Sequence, residues 1–182
     1  MTRLCPKLAK LCPFSNNMET LRDRLQQLVV ELQAKGRPAR TELESAVAAV
    51  RQWKNEQALD GLWPDPPLMV TATLDDAMGH GLDLIQQYAE AAGMQVNHLG
   101  LLKAPDAIVS ACRDLEPMLL GLTVLQFDTE DDLAFIARNI PKATKIVAGG
   151  PVFKADPDLA QRAGIHRVAI DAADFLNFLL TL

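Results

Sequence analysis

Met118-Leu119-Leu120-Gly121-Leu122-Thr123-Val124 is the stretch that decides the fold of this 182-residue chain. The run is apolar almost throughout and has the length of one strand. A strand with one wet face alternates polar and apolar residues. A continuous apolar run marks a strand buried on both faces, as in parallel sheets covered by helices. Working outward, segments 68–72, 95–99, 145–148 and 168–170 read as further strands. Between and after them, segments 82–92, 105–115, 131–139, 157–163 and 172–180 read as helices. Five strand–helix units of this length predict an α/β fold: a doubly wound, five-stranded parallel sheet, flavodoxin-like or Rossmann-like. Right-handed crossovers place helices on both faces.

The pattern differs before Trp63-Pro64-Asp65-Pro66-Pro67. Three prolines in four positions cannot continue a helix and favour an extended linker. Upstream, Met18, Leu21, Leu25, Leu28 and Leu32 recur at alternating steps of three and four, drawing one apolar stripe. Gly36 and Pro38 end that helix. Thr41-Glu42-Leu43-Glu44 reads as a capping box opening a second helix, with Leu43, Val47 and Val50 on its face. These two segments predict a helical hairpin that needs another surface to cover its stripe. The expected organisation is a tail at 1–16, the small helical hairpin at 17–62, a Pro-rich linker at 63–67 and the α/β domain at 68–182.

Composition narrows the function classes. Hydrophobic residues make up 49% of the chain, enough for a sizeable core, but aromatics only 5%, so aliphatic side chains and alanine must fill it. A net charge of −5 argues against a general nucleic-acid binder. No apolar run has the length of a membrane span, and Pro6, Lys7, Lys10 and Pro13 interrupt any leader-like core near the N-terminus. A cytoplasmic protein is expected. Cys5 and Cys12 match no metal or redox spacing and read as exposed tail thiols; Cys112 reads as a small buried apolar residue.

In an open parallel sheet, ligands bind at the carboxyl ends of the strands, near the point where strand order reverses. Three loops there have unusual compositions: 74–81, the one beginning Thr123-Val124-Leu125, and Ala148-Gly149-Gly150-Pro151. A flavodoxin-like order makes the first, third and fourth strands contiguous, so the three loops converge on one crevice. Gly149 and Gly150 allow close approach to the backbone. Thr123 offers a hydroxyl. Gly79 and Gly81 let the first loop turn tightly and present amides at a helix start. Each signal also has a plain reading, a turn for the glycines and a helix cap for Asp75-Asp76.

From residue 67 to 182 the chain resembles cobalamin-binding domains. Asp76-Ala77-Met78-Gly79-His80-Gly81 stands in the place of that family's Asp-x-His-x-x-Gly loop. Gly121-Leu122-Thr123-Val124-Leu125 resembles its Ser-x-Leu element, with threonine for serine. Val147-Ala148-Gly149-Gly150-Pro151-Val152 resembles its Gly-Gly loop, and Gly164 with Asp171-Ala172 its closing unit. The hairpin before the linker resembles a shortened form of the helical cap of corrinoid methyl carriers. The resemblance implies cobalamin as cofactor, with its dimethylbenzimidazole tail drawn into the protein. Gly149 and Gly150 would make room for the tail, Thr123 would stand in for the serine, and Leu125 would line the tunnel. Asp76 would be the carboxylate that orients a cobalt-ligating imidazole.

Met78 occupies the position of that imidazole. A thioether makes no second hydrogen bond to a carboxylate and suits softer metals. His80 lies two residues late. No protein axial ligand is therefore expected from the usual position, and no residue is assigned as a metal ligand. Expected cofactor-binding residues are Asp76, Met78, Gly79, Gly81, Thr123, Leu125, Gly149 and Gly150. The function these imply is a histidine-independent corrinoid protein, a methyl-group carrier working with a separate methyltransferase and not a complete enzyme. The alternative is a degenerate member without cofactor that acts as a regulatory or protein-binding module. A flavin or nucleotide in the same crevice is a third reading, disfavoured because the first loop lacks dinucleotide glycine spacing.

Overall fold

The computed structural model describes residues 13–76 and 80–182; of residues 13–20 and 80 it describes the backbone alone. Two helices lead, α1 (Pro13–Lys35) and α2 (Arg40–Glu56). There follow β1 (Leu68–Thr73), α3 (His80–Ala92), β2 (Gln95–Gly100), α4 (Pro105–Leu115) and β3 (Leu119–Thr123). After a 3-10 turn at Phe127–Thr129 come α5 (Glu130–Asn139), β4 (Lys145–Gly149), the short helices α6 (Val152–Ala155) and α7 (Leu159–Arg162), β5 (Arg167–Val168) and α8 (Ala172–Leu179). All five strands are parallel, in the order β2-β1-β3-β4-β5. This is the flavodoxin-like sheet expected from the sequence.

Strand periodicity sorts the core into two layers. Val70, Ala72, Leu120, Leu122, Ile146 and Ala148 face one way and pack with Ile108 and Cys112 of α4, Leu133 and Ile136 of α5, and Leu159. Met69, Leu119 and Val147 face the other way, toward Leu84 and Tyr88 of α3 and Phe175 and Leu179 of α8. The leading helices extend this second layer outward. Leu21, Leu25, Leu28, Val29 and Leu32 of α1 and Val47 and Val50 of α2 are all buried in it. Full burial of each such side chain contributes about 1.5–3 kcal/mol, which a free hairpin would forgo. Polar ties fix the attachment. Arg22 Nη1 donates to the Leu180 carbonyl at 2.5 Å, Tyr88 Oη donates to the Leu43 carbonyl at 2.9 Å, and Arg51 pairs with Glu90. Trp53 and Trp63 pack at the edge of the same cluster.

Several expectations shift in detail. The described part of α1 already includes Pro13, inside the expected tail. Cys5 and Cys12 lie outside the described residues. The cap of α2 falls at Ala39, not Thr41: Glu42 accepts the Ala39 N–H at 2.8 Å, while Glu44 pairs with Arg40. Alanine has no side-chain acceptor, so only half of a capping box forms. The last strand ends at Val168, two residues early, although Ala169 N still donates to the Ala148 carbonyl at 2.8 Å. The 3-10 turn and α6 had no sequence expectation. The segment before β1 is clamped by Gly61 against Gly93, where a Cβ on Gly61 would stand 2.8 Å from the Gly93 Cα.

Candidate functional site

Beyond Met69 and Leu119, the sheet face under α3 and α8 is built of small side chains toward its carboxyl end. Period-two alternation puts Gly121 and Thr123 of β3 beside Val147 and Gly149 of β4, in register as Gly121–Val147 and Thr123–Gly149 pairs. The space they leave is a cavity of about 440 Å³. Leu82, Leu84 and Ile85 of α3 form one wall, and Ala172 and Phe175 of α8 another. Leu43 of α2 also lines it. The mouth lies at the carboxyl ends of the strands, where Gly81, Leu125, Gly150, Ile170 and Asp171 border it.

Of the eight residues expected to bind a cofactor, Gly81, Thr123, Leu125, Gly149 and Gly150 line this one cavity. Met78 and Gly79 lie outside the described residues. Asp76 is exposed and does not line the cavity. The carboxylate that joins the loops is its neighbour. Asp75 is 2% exposed, and its Oδ2 accepts the Leu125 N–H at 2.7 Å. The Asp75 carbonyl accepts the Thr73 hydroxyl at 2.7 Å and the Leu102 N–H at 3.2 Å. One residue therefore ties together the loops after β1, β2 and β3. Nothing in the sequence separates Asp75 from Asp76; only the turn of the backbone leaving β1 does.

The glycines divide in the same way. Gly150 adopts φ +136°, and a Cβ there would collide with the Val124 carbonyl oxygen. A Cβ on Gly149 would lie 3.0 Å from the Ala169 carbonyl oxygen. Both glycines are required by the chain's own packing at the crevice floor, besides any room they leave for a ligand. Gly81 differs: a Cβ there would meet nothing within 4 Å. Its bareness serves no contact within the described protein, and it faces the cavity mouth. The Thr123 hydroxyl likewise receives and gives no hydrogen bond among the described residues. These two features suit a ligand that enters from the carboxyl end of the sheet.

The mouth is held by local bonds. Asp171 caps α8 by accepting the Asp174 N–H at 2.8 Å. Asp174 in turn accepts the Ile170 N–H at 3.2 Å and pairs with Arg167. Leu102, Phe127 and Ile170, on the loops that leave β2, β3 and β5 at the same end of the sheet, are all more than 60% exposed; of the three, Ile170 borders the cavity. Sequence reading did not find Leu43, Ile170 or Phe175. Leu43 lies outside the α/β segment, and the other two carry no motif.

Among the described residues, no group of three or more His, Cys, Asp or Glu could hold a metal ion. No helix among them is long and apolar enough to cross a membrane. A comparison with curated proteins finds no significant match. Solved structures that share the fold include the following three. A cobalamin-binding protein from Desulfitobacterium hafniense DCB-2 aligns with TM-score 0.74 and 20% identity, over 92% of this chain and 83% of that one. The monomethylamine corrinoid protein of Methanosarcina barkeri aligns with TM-score 0.57 and 17% identity, over 92% of this chain and 98% of that one. The methanol:cobalamin methyltransferase complex of the same organism aligns with TM-score 0.58 and 16% identity, over 91% of this chain and 68% of that one. The family model for the B12 binding domain matches residues 68–177, from the first residue of β1 into α8. That span contains the whole sheet and every cavity-lining residue except Leu43, so the chain belongs to the B12-binding domain family, and cobalamin is the cofactor that this membership assigns to it.

Proposed function

We propose that this protein is a corrinoid carrier that holds its cofactor without a histidine ligand and presents it to a separate methyltransferase. The observation that carries the reading is the small-residue cavity between α3 and α8, open at the carboxyl ends of β3 and β4. Gly149, Gly150 and Thr123 would hold the nucleotide tail, with Leu125 and Gly81 at the entrance. Asp75 would keep the Leu125 loop in place through its 2.7 Å bond. When bound, the corrinoid supplies cobalt-centred methyl-group chemistry. The protein's part is to bind, to orient and to keep water from the tail.

Histidine independence rests on the sequence, where Met78 stands at the ligand position. The carrier role is supported by structural similarity to a monomethylamine corrinoid protein and to a chain of a methanol:cobalamin methyltransferase complex. The exposed Leu102, Phe127 and Ile170, on loops at the carboxyl end of the sheet, suit a surface that meets a partner enzyme. Reconstitution with hydroxocobalamin followed by desalting tests the reading. The protein is expected to retain the visible corrin spectrum, and Met78→His to convert it to a nitrogen-ligated form. A colourless protein that still captures a methyltransferase would favour the cofactor-free regulatory module instead.

A further inference from the structure

We infer that the cavity selects the lower base of its corrinoid, taking an alkylated benzimidazole over a purine, and that Leu43 of the helical hairpin is part of the selecting wall. The inference rests on the corrinoid reading and deepens it. Its basis is where the cavity's polar groups lie. The side chains lining it are apolar except for Thr123 and Asp171. Both of these are at the mouth: Thr123 ends β3, and Asp171 caps α8 just beyond β5. From Thr123 to Gly121 the strand runs about 6–7 Å inward. Gly121 and Val147 pair at that inner level, and the lining that the helices supply, Leu84 and Ile85 of α3, Phe175 of α8 and Leu43 of α2, is apolar as well. The backbone there has nothing to offer either, because β3 and β4 are paired to each other and to their other neighbours, and α3 and α8 to themselves. The two buried side-chain nitrogens without partners, Arg24 Nε and Arg167 Nε, do not line the cavity.

An aromatic base seated in this inner half meets methyl and phenyl groups on every side. Methyl substituents on its outer edge gain contact area. A purine would bring an exocyclic amine or carbonyl and ring nitrogens to the same place. Each polar group so placed loses water and gains no partner. A site built this way rejects the polar base, the reverse of a site built to hydrogen-bond it.

Leu43 gives the selection its link to the hairpin. It is the one described lining residue outside the family span of 68–177. Its backbone is fixed by the Tyr88 hydroxyl at 2.9 Å, and Arg51 holds the next turns of α2 to Glu90 and to the Gln87 carbonyl. The hairpin therefore closes the site as well as covering α3 and α8.

Calorimetric titration of the whole protein with three corrinoids tests the inference. The probes are cobalamin, its analogue with an adenine base, and cobinamide, which has no nucleotide. Cobalamin is expected to bind at least about tenfold more tightly than the adenine analogue, the discrimination expected from one or two unpaired polar groups. Leu43→Asn, which places an amide in the wall, is expected to narrow that ratio; Leu43→Ala is expected to weaken cobalamin specifically. Equal affinity for cobalamin and the adenine analogue overturns the inference while leaving the corrinoid reading intact. Cobinamide binding as tightly as cobalamin also overturns the inference, and with it the placement of the tail in the cavity, while corrinoid binding itself stands. Failure of all three to bind overturns the corrinoid reading itself and the inference with it. The wild-type comparison does not depend on how either variant folds.

Discussion

Replacing Gly81 with alanine separates what the fold needs from what the ligand needs. Gly81 lies in the first turn of α3, and a Cβ there would meet nothing within 4 Å. Its φ lies outside the left-handed region, so alanine is not strained. Alanine is favoured over glycine within a helix by up to about 1 kcal/mol, and first-turn positions draw the lower part of that range, about 0.5 kcal/mol. For a chain of this size that corresponds to a rise in Tm of about 1–2 °C. Gly81 lines the cavity, so on the proposed reading the same methyl group would stand where the cofactor's tail enters. Gly81→Ala is therefore expected to be slightly more stable than the parent and to bind cobalamin about tenfold or more weakly. Thermal unfolding followed by circular dichroism gives the first quantity, and calorimetric titration the second. A variant that is destabilised would show that the described contacts do not account for Gly81. A variant that is stabilised but binds cobalamin unchanged would refute the claim that this glycine is kept for the ligand.

Gly150→Ala is expected to act in the opposite way. With φ +136° and the Val124 carbonyl in the path of a Cβ, it should lose about 3 kcal/mol or more, visible as a shifted denaturation midpoint without ligand. Asp75→Ala leaves the Leu125 N–H without its acceptor and should cost about 1–3 kcal/mol, with Asp75→Asn milder because its amide oxygen can still accept; urea unfolding of the three proteins orders them. Tyr88 is the only tyrosine, and burial pushes its phenol up to about 12. The neutral phenol is the form the fold favours, so its contribution to stability is intact below about pH 10, the unfolded value, and is lost as pH rises toward 12. Absorbance at the phenolate band should show no titration near 10 in the folded protein; an ordinary titration there would contradict the burial.

The sheet was legible because its central strands, β1, β3 and β4, are buried on both faces. Once Met118–Val124 is read that way, the other strands and the crossovers follow from periodicity and chirality, and the order β2-β1-β3-β4-β5 brings the three loops together. What could not be read was anything decided by a single turn of backbone. Asp75 and Asp76 are adjacent and chemically identical, yet one is buried at the junction of three loops and the other is exposed. Gly149 and Gly150 have the composition of a ligand-contacting loop, but Gly150 is demanded by the Val124 carbonyl, a contact between two loops 26 residues apart in the chain. Leu43 has the periodicity of a hairpin-face residue and nothing that tells it lines a cavity beneath α3 and α8. Local pattern fixes which face a residue lies on; the partner on that face comes from tertiary packing.

The cavity itself is an argument about energy. A sealed, dry space of about 440 Å³ would cost roughly 10 kcal/mol at the rate found for core cavities, as much as the whole net stability of an ordinary domain. The fold carries it because the mouth is open at Thr123 and Asp171 and because the surrounding layers are extensive, α1 and α2 included. The inner, apolar half is the part that water fills worst. A ligand whose apolar end reaches that half removes the unfavourable surface and binds only the folded state. Cobalamin at about one hundred times its Kd should then stabilise the protein by about 2.7 kcal/mol, or about 5–11 °C in Tm for a chain of this length. Cobinamide, lacking the base, should give a smaller shift at the same concentration. If the two corrinoids raise Tm equally, the inner half of the cavity contributes nothing to binding. The small residues at the carboxyl ends of β3 and β4 would then need an explanation in folding alone.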